Sequence, residues 1–283
     1  MSDRTIVITG GSDGIGVEAA RQLARAQPHT RLILVGRSPE KTAAAAREIG
    51  AEYFVADYAR LGDVRQLAAD LRSTVDHIDV LANNAGAIFG DRTTTVDGHE
   101  KTFQVNLLAP FLLTHLVLDL LQAGDGGVVN TSSASAKIVG KINVDDLNHE
   151  TSYAPMRAYG DAKLANILFA LGLDRHHRHE GIKAVAFDPG NVRTSFGTEN
   201  NDLLTRLIYR TPLSRLALIS PEKGGSNLAF FLAGEPGIDW ESGRFYAQTS
   251  LASNRQTNEQ VNDAALVEEF WRRTRALLDL DEA

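Results

Sequence analysis

Short apolar or β-branched runs recur along the chain at Thr5–Thr9, Arg31–Gly36, Glu52–Ala56, Asp79–Ala82, Gly127–Thr131 and Lys183–Phe187. Such runs predict strands buried on both faces, as in parallel sheets. Longer amphipathic stretches fill the gaps between them. The alternation predicts an α/β fold, a doubly wound parallel sheet with helices on both faces and right-handed crossovers. No internal repeat or low-complexity linker interrupts the rhythm, so a single domain is expected over residues 1–283,. Three longer gaps, Ser132 to Ser152, Gly190 to Ser220 and Gln248 to Asn262, are exceptions. The first two follow the fifth and sixth strands directly, and ligands of open α/β sheets bind beyond strand carboxyl ends, so these gaps are candidate pocket walls. Ser220-Pro221-Glu222 predicts a helix start, with serine as cap and proline in the first position,. Leu266–Leu280 reads as a closing amphipathic helix.

Composition narrows the class. A hydrophobic content of 43% supplies a substantial core, and the net charge of −7 without any Lys/Arg run lacks the footprint of a nucleic-acid binder,. There is no cysteine, which excludes disulfides, thiolate catalysis and Cys-ligated metals,. An apolar strand pattern begins at Thr5, which leaves no room for a signal peptide,. The most apolar long stretch, Leu107 to Leu121, is interrupted by Thr114, His115 and Asp119 and is too short to span a bilayer,. The expectation is a soluble cytoplasmic protein.

The first strand runs into Thr9-Gly10-Gly11-Ser12-Asp13-Gly14-Ile15-Gly16, a glycine turn that opens the first helix. Glycines there let backbone approach a pyrophosphate, and the helix start offers unpaired N–H groups. This is the nucleotide end of a Rossmann-like fold. At the end of the second strand, Val35-Gly36-Arg37-Ser38 places an arginine where an acidic residue would bind a ribose 2′-hydroxyl,. Arg37, with Ser38 as a second donor, favours the 2′-phosphate of NADP(H); NAD(H) is the alternative, and Asp13 adds a negative charge nearby that softens the preference. Farther along, Tyr159 and Lys163 are four residues apart in Ala158-Tyr159-Gly160-Asp161-Ala162-Lys163, one turn apart on one face of a helix,. An unperturbed tyrosine titrates near about 10, and a neighbouring cation favours phenolate. By spacing alone, such a pair far more often describes ordinary surface helix residues.

Four motifs in order resemble the short-chain dehydrogenase/reductase family across essentially the whole chain. The glycine turn is similar to its Thr-Gly-x-x-x-Gly-x-Gly, Asn83-Asn84-Ala85-Gly86 to its Asn-Asn-Ala-Gly, Tyr159-x-x-x-Lys163 to its active-site motif, and Asp188-Pro189-Gly190-Asn191-Val192-Arg193-Thr194 to its Pro-Gly loop. Within the family, Gly140-Lys141-Ile142-Asn143, Asp146-Leu147-Asn148 and Lys163-Leu164-Ala165-Asn166-Ile167-Leu168-Phe169 look most like the retinol dehydrogenase-like group. Many of that group carry an N-terminal membrane segment, which these residues do not show. The resemblance implies a catalytic tetrad of Asn106, Ser133, Tyr159 and Lys163, with Ser133 the better match of the pair Ser132-Ser133. It also implies cofactor contacts from Gly10, Ser12, Asp13, Gly14, Ile15, Gly16, Arg37, Ser38, Asp57, Asn83, Ala85, Gly86, Tyr159, Lys163, Pro189, Gly190, Val192 and Thr194. Residues 1–130 would form the cofactor half and 131–283 the catalytic half, with a substrate lid over 191–220.

The implied reaction interconverts a carbonyl and an alcohol, with Tyr159 as acid or base and Asn106 holding a water that links Lys163 to solvent. Phe196, Leu203, Leu204, Leu207 and Ile208 recur at helical spacing in the lid region and suggest a small apolar substrate; the same stripe reads equally well as core packing,. Ala87-Ile88-Phe89 would line the opposite wall. His176 and His179 have ligand-like spacing, but flanking Arg175 and Arg178 repel cations, and no metal is expected,. Two rival functions stay open: a dinucleotide-binding sensor or scaffold without useful turnover, and an NADPH-dependent reductase of carbon–carbon double bonds. Family members assemble as homodimers or homotetramers through helices flanking the sheet, and the residues do not choose between them.

Overall fold

The computed structural model describes residues 4–191 and 219–280. An eight-stranded sheet runs through them: β1 (Thr5–Thr9), β2 (Arg31–Gly36), β3 (Glu52–Val55), β4 (Val80–Asn83), β5 (Gly127–Thr131), β6 (Lys183–Asp188), β7 (Arg244–Ala247) and β8 (Ser250–Leu251). The order is β3-β2-β1-β4-β5-β6-β7-β8, parallel throughout except for the β7–β8 pair. Alternation of side chains across the pleat splits the core in two. Val7, Ile33 and Leu81 face α3 (Leu61–Thr74), α5 (Ala109–Leu116), α8 (Pro155–His177) and α10 (Ala264–Leu277). Ile6, Ile8 and Leu34 face α1 (Gly14–Ala26), α2 (Pro39–Ile49) and α9 (Pro221–Ala233). The sheet is therefore doubly wound, as the strand-and-helix alternation predicts.

Two expectations need correction. The third strand reads as buried, yet β3 forms the edge of the sheet, with Tyr53 45% and Val55 44% exposed, because no strand pairs beyond it. The gap from Gln248 to Asn262 holds β8, which turns back on β7 through Gln248 at a positive φ of 57°. Helix starts follow their local chemistry. Ser38 and Ser220 cap α2 and α9 by accepting from Lys41 and Lys223 N–H, with Pro39 and Pro221 in the first turns. Three shorter helices, α4 (Lys101–Phe103), α6 (Leu118–Ala123) and α7 (Ser135–Ile138), complete the order, and a π-helical turn, Gln104–Leu108, joins α4 to α5.

Helix α10 closes the second half by laying Trp271 against Phe111, with ring centroids 4.9 Å apart. The indole lies directly on Gly172 of α8, where a Cβ would overlap the ring. Gly172→Ala should destabilise the protein by about 1–3 kcal/mol through overpacking. An unchanged denaturant midpoint would show that α10 does not pack this tightly on α8.

Candidate active site

The strand order reverses between β1 and β4, so the loops leaving their carboxyl ends diverge and open a crevice,. Hydrogen bonds knit the two loops into one piece. The Thr9 hydroxyl donates to Ala82 O at 2.9 Å and accepts the N–H groups of Asn84 and Ala85, each at 3.0 Å. The Asn84 side-chain amide donates back to Thr9 O at 2.9 Å. Gly10 takes a φ of +65°, and at Gly16 a Cβ would overlap the Gly10 carbonyl, so the turn is as tight as the first helical turn permits,. Asp13 caps α1 by accepting from Gly14 N–H at 2.7 Å.

The crevice opens into a cavity of about 530 Å³ that also reaches the ends of β2, β5 and β6. Of the residues expected at the cofactor, Gly10, Ser12, Asp13, Gly14, Ile15, Arg37, Ser38, Asp57, Ala85, Gly86, Tyr159, Lys163, Pro189 and Gly190 line it. Three expectations shift. Gly16 closes the turn from behind without forming part of the wall. Asn83 points into the sheet, donating to Thr114 Oγ1 at 3.0 Å and Asn130 Oδ1 at 2.9 Å, and its neighbour Asn84 lines the cavity in its place. Ser38 lines the cavity, but its hydroxyl donates to Glu40 at 3.0 Å while capping α2. Lys41, which the sequence reading passed over, brings a second cation to the Arg37 end. Val192, Thr194, Phe196, Leu203, Leu204, Leu207 and Ile208 lie outside the described residues, as does most of the expected lid.

At the other end, α8 delivers Tyr159 half-buried and Lys163 buried one turn on. The Lys163 ammonium donates to Thr131 O at 3.0 Å and lies 5.5 Å from the Tyr159 ring centroid. Burial pushes Lys163 down to about 8,. The two serines that end β5 divide in role. Ser132 is buried and donates to the backbone of Lys163 at 2.7 Å, while Ser133, half-buried on the cavity wall, accepts only from Ser135 N–H at 3.2 Å. Asn106 is buried behind Gly86, where a Cβ would come within 2.5 Å of Asn106 Oδ1 and 3.1 Å of Lys163 Nζ. Asp188 accepts from Gly190 N–H at 3.0 Å and holds the Pro-Gly loop; burial pushes its carboxyl upward.

The loop after β5 forms a wall fastened through its backbone. Asn258 donates to Ala136 O and Gly140 O, each at 2.8 Å, and Gln260 pairs with both the N–H and the carbonyl of Ile142. Asp161 accepts from Lys141 N–H at 2.6 Å, and Arg157 donates to Lys141 O at 2.9 Å. Ile138 on this loop is 77% exposed and Met156 on α8 is 43% exposed, yet both line the cavity opposite Ala87, Ile88 and Phe89. His176 stacks on Trp271 and contacts Glu268 at 3.1 Å, and His179 lies 3.6 Å from Glu180. Among the described residues no helix is long and apolar enough to cross a membrane.

The glycine turn, the tyrosine and the buried lysine share one crevice, and relatives of the chain place it among oxidoreductases. The profile of the family described as short chain dehydrogenase matches residues 4–204, and the chain belongs to that family. It is 36% identical to a Streptomyces sp. (strain C5) protein named "Putative daunorubicin C-13 ketoreductase", over 96% of this chain and 91% of that one. It is 31% identical to human retinol dehydrogenase 13, over 98% and 85%. Among solved structures, a Mycobacterium paratuberculosis protein superposes with a TM-score of 0.76 at 29% identity, covering 98% of this chain and 94% of that one. Other chains of this fold have been solved with NADP or NADPH bound.

The buried ammonium makes Lys163 costly to the fold. Below about 8 the folded protein carries the charge in full; between there and the unfolded value of 10.5 it sheds the proton first, and the cost fades as pH rises,. Lys163→Met should therefore stabilise the protein by about 1–3 kcal/mol near pH 7 and by less near pH 10. Denaturant titrations at both pH values check this, and a variant less stable than the parent at neutral pH would refute it.

Proposed function

We propose that this chain is a single-domain, soluble cytoplasmic oxidoreductase that uses NADP(H) to interconvert a carbonyl and an alcohol on a small apolar molecule. The observation that carries the reading is one cavity holding the glycine turn and Arg37 at one end and Ser133, Tyr159 and the Lys163 ammonium at the other.

The residues fit a dinucleotide. At Gly10, Gly11 and Gly16 a Cβ would crowd neighbouring protein atoms, so the turn keeps its backbone close to the start of α1, which suits a pyrophosphate,. Arg37 and Lys41 together suit a ribose 2′-phosphate,. When bound, NADP(H) supplies or accepts the hydride. Tyr159 gives a proton to the substrate oxygen during reduction and takes it back during oxidation. Ser133, whose hydroxyl hydrogen has no acceptor among the described residues, donates to that oxygen as charge develops,. Lys163 favours the phenolate and would hydrogen-bond the cofactor's ribose hydroxyls,. Ile138, Met156 and Phe89 offer an apolar surface to the rest of the substrate, in keeping with the ketoreductase and retinol dehydrogenase relatives,.

Tyr159→Phe should lower turnover by about 10²–10⁴ without loss of fold, as expected for a lost acid–base group. Near-parental NADPH consumption by this variant on an accepted ketone would remove Tyr159 from the mechanism. NADPH should give a higher kcat/KM than NADH, with Arg37→Ala narrowing the gap; equal use of both by the parent would sink the cofactor assignment.

A further inference from the structure

Ile88, Phe89, Val105, Ile138, Val139 and Met156 give the cavity an apolar lining. One charge is set among them. Lys101, half-buried at the start of α4 and four residues before Val105, lines the same cavity. Its ammonium rests over the ring of Phe89, 4.5 Å from the centroid. Phe89 is tied in turn to the segment that leads into α8, because its carbonyl accepts from the Tyr153 hydroxyl at 3.2 Å. Tyr153 stands two residues before that helix, which carries Tyr159.

The other charged groups of the cavity already have places. Asp13, Arg37, Lys41 and Asp57 stand on the segments after β1, β2 and β3, and Lys163 is buried with its ammonium on Thr131 O. Lys101 has no such place. Among the described residues no carboxylate is within ion-pair distance of its ammonium. Glu100 is buried and spends its two carboxylate oxygens on the N–H groups of Thr102 and Phe103, at 2.8 and 2.7 Å. Asp91 is exposed near Tyr153 and forms no pair with Lys101. Arg92 gives its guanidinium to the carbonyls of His149 and Asn148, at 3.0 and 3.1 Å. A phenyl face attracts an ammonium without neutralising it. A methionine would cover Phe89 equally well, and at lower desolvation cost if the ligand closing over it were wholly apolar.

We propose that Lys101 is a specificity-determining residue that binds a carboxylate of the substrate, so that the preferred molecule is an oxo acid, or its hydroxy acid, with an apolar body between the carboxylate and the reacting carbon. This rests on the reading of the cavity as a carbonyl–alcohol oxidoreductase site. One ammonium matches one negative charge, whereas the paired cations Arg37 and Lys41 at the other end suit a phosphate,.

The test uses ω-benzoylalkanoates of graded chain length, each beside its methyl ester, with NADPH. At the length that spans the two groups, the acid should exceed its ester in kcat/KM by about tenfold or more, the worth of a hydrogen bond to a charged group. Lys101→Met should bring that ratio toward one, Lys101→Arg should keep it, and added salt should lower it in the parent. Calorimetry on Tyr159→Phe loaded with NADPH reads the same preference as a ratio of Kd values, without turnover. A ratio near one at every length in both measurements, no binding of any acid, or a ratio that survives Lys101→Met overturns the proposal. A Lys101→Met protein that changes KM for NADPH in place of the ratio assigns the ammonium to the cofactor and overturns it as well. Near-parental turnover by Tyr159→Phe would instead defeat the acid–base reading, and the binding ratio would still report on Lys101.

Discussion

Lys163 carries its ammonium into a region with almost no water, and an interior charge is tolerated only where the surroundings are built to hold it,. The chain meets that demand with three separate segments. The end of β5 gives the Thr131 carbonyl to the ammonium, and the next residue, Ser132, ties the Lys163 backbone down from the same strand end. The loop after β4 contributes Gly86, whose missing side chain leaves room for Asn106 and Lys163 together. Helix α8 has to pass these strand ends at one depth and in one rotation, and Tyr159 is carried into the cavity by the same alignment.

The glycine-turn end of the cavity depends on the sheet in a different way. Its rigidity comes from Thr9, which ends β1 and bonds the Ala82 carbonyl of β4 and two N–H groups of the loop that follows it. Because β1 and β4 are hydrogen-bonded neighbours at the point where the strand order reverses, a short side chain is enough to bridge them. The Tyr159–Lys163 end of the cavity is held by an expensive interior contact and the glycine-turn end by inexpensive local ones. The energetic tension of the fold is therefore concentrated around α8.

How far the sequence could be read followed from which forces are local. β1, β2 and β5 appear within the bounds their β-branched runs suggest, because central parallel strands need apolar residues on both faces,. β7 was missed since Arg244–Ala247 has only Phe245 and Tyr246 as large apolar residues, and the two residues of β8 carry no pattern at all. Motifs pointed to the stretches that line the cavity but not always to the residue that faces it. Asn83 and Asn84 are identical in type and differ only in the direction each leaves the strand end, inward to Asn130 or outward to the cavity. Lys41 reaches the cavity from the first turn of α2, a placement that becomes visible only once the helix has its direction. The fastenings by Asn258 and Gln260 cross as many as 122 residues of chain, and no short-range pattern announces them.

The wall after β5 has a consequence for how this chain can change. Its fastenings go to main-chain atoms of Ala136, Gly140, Lys141 and Ile142, and a main-chain atom is present whatever residue occupies the position. Ile138, largely exposed, is thus displayed on a frame indifferent to its identity. Selection can try new side chains there, and with them new linings for the cavity, while the backbone course of the wall is inherited intact.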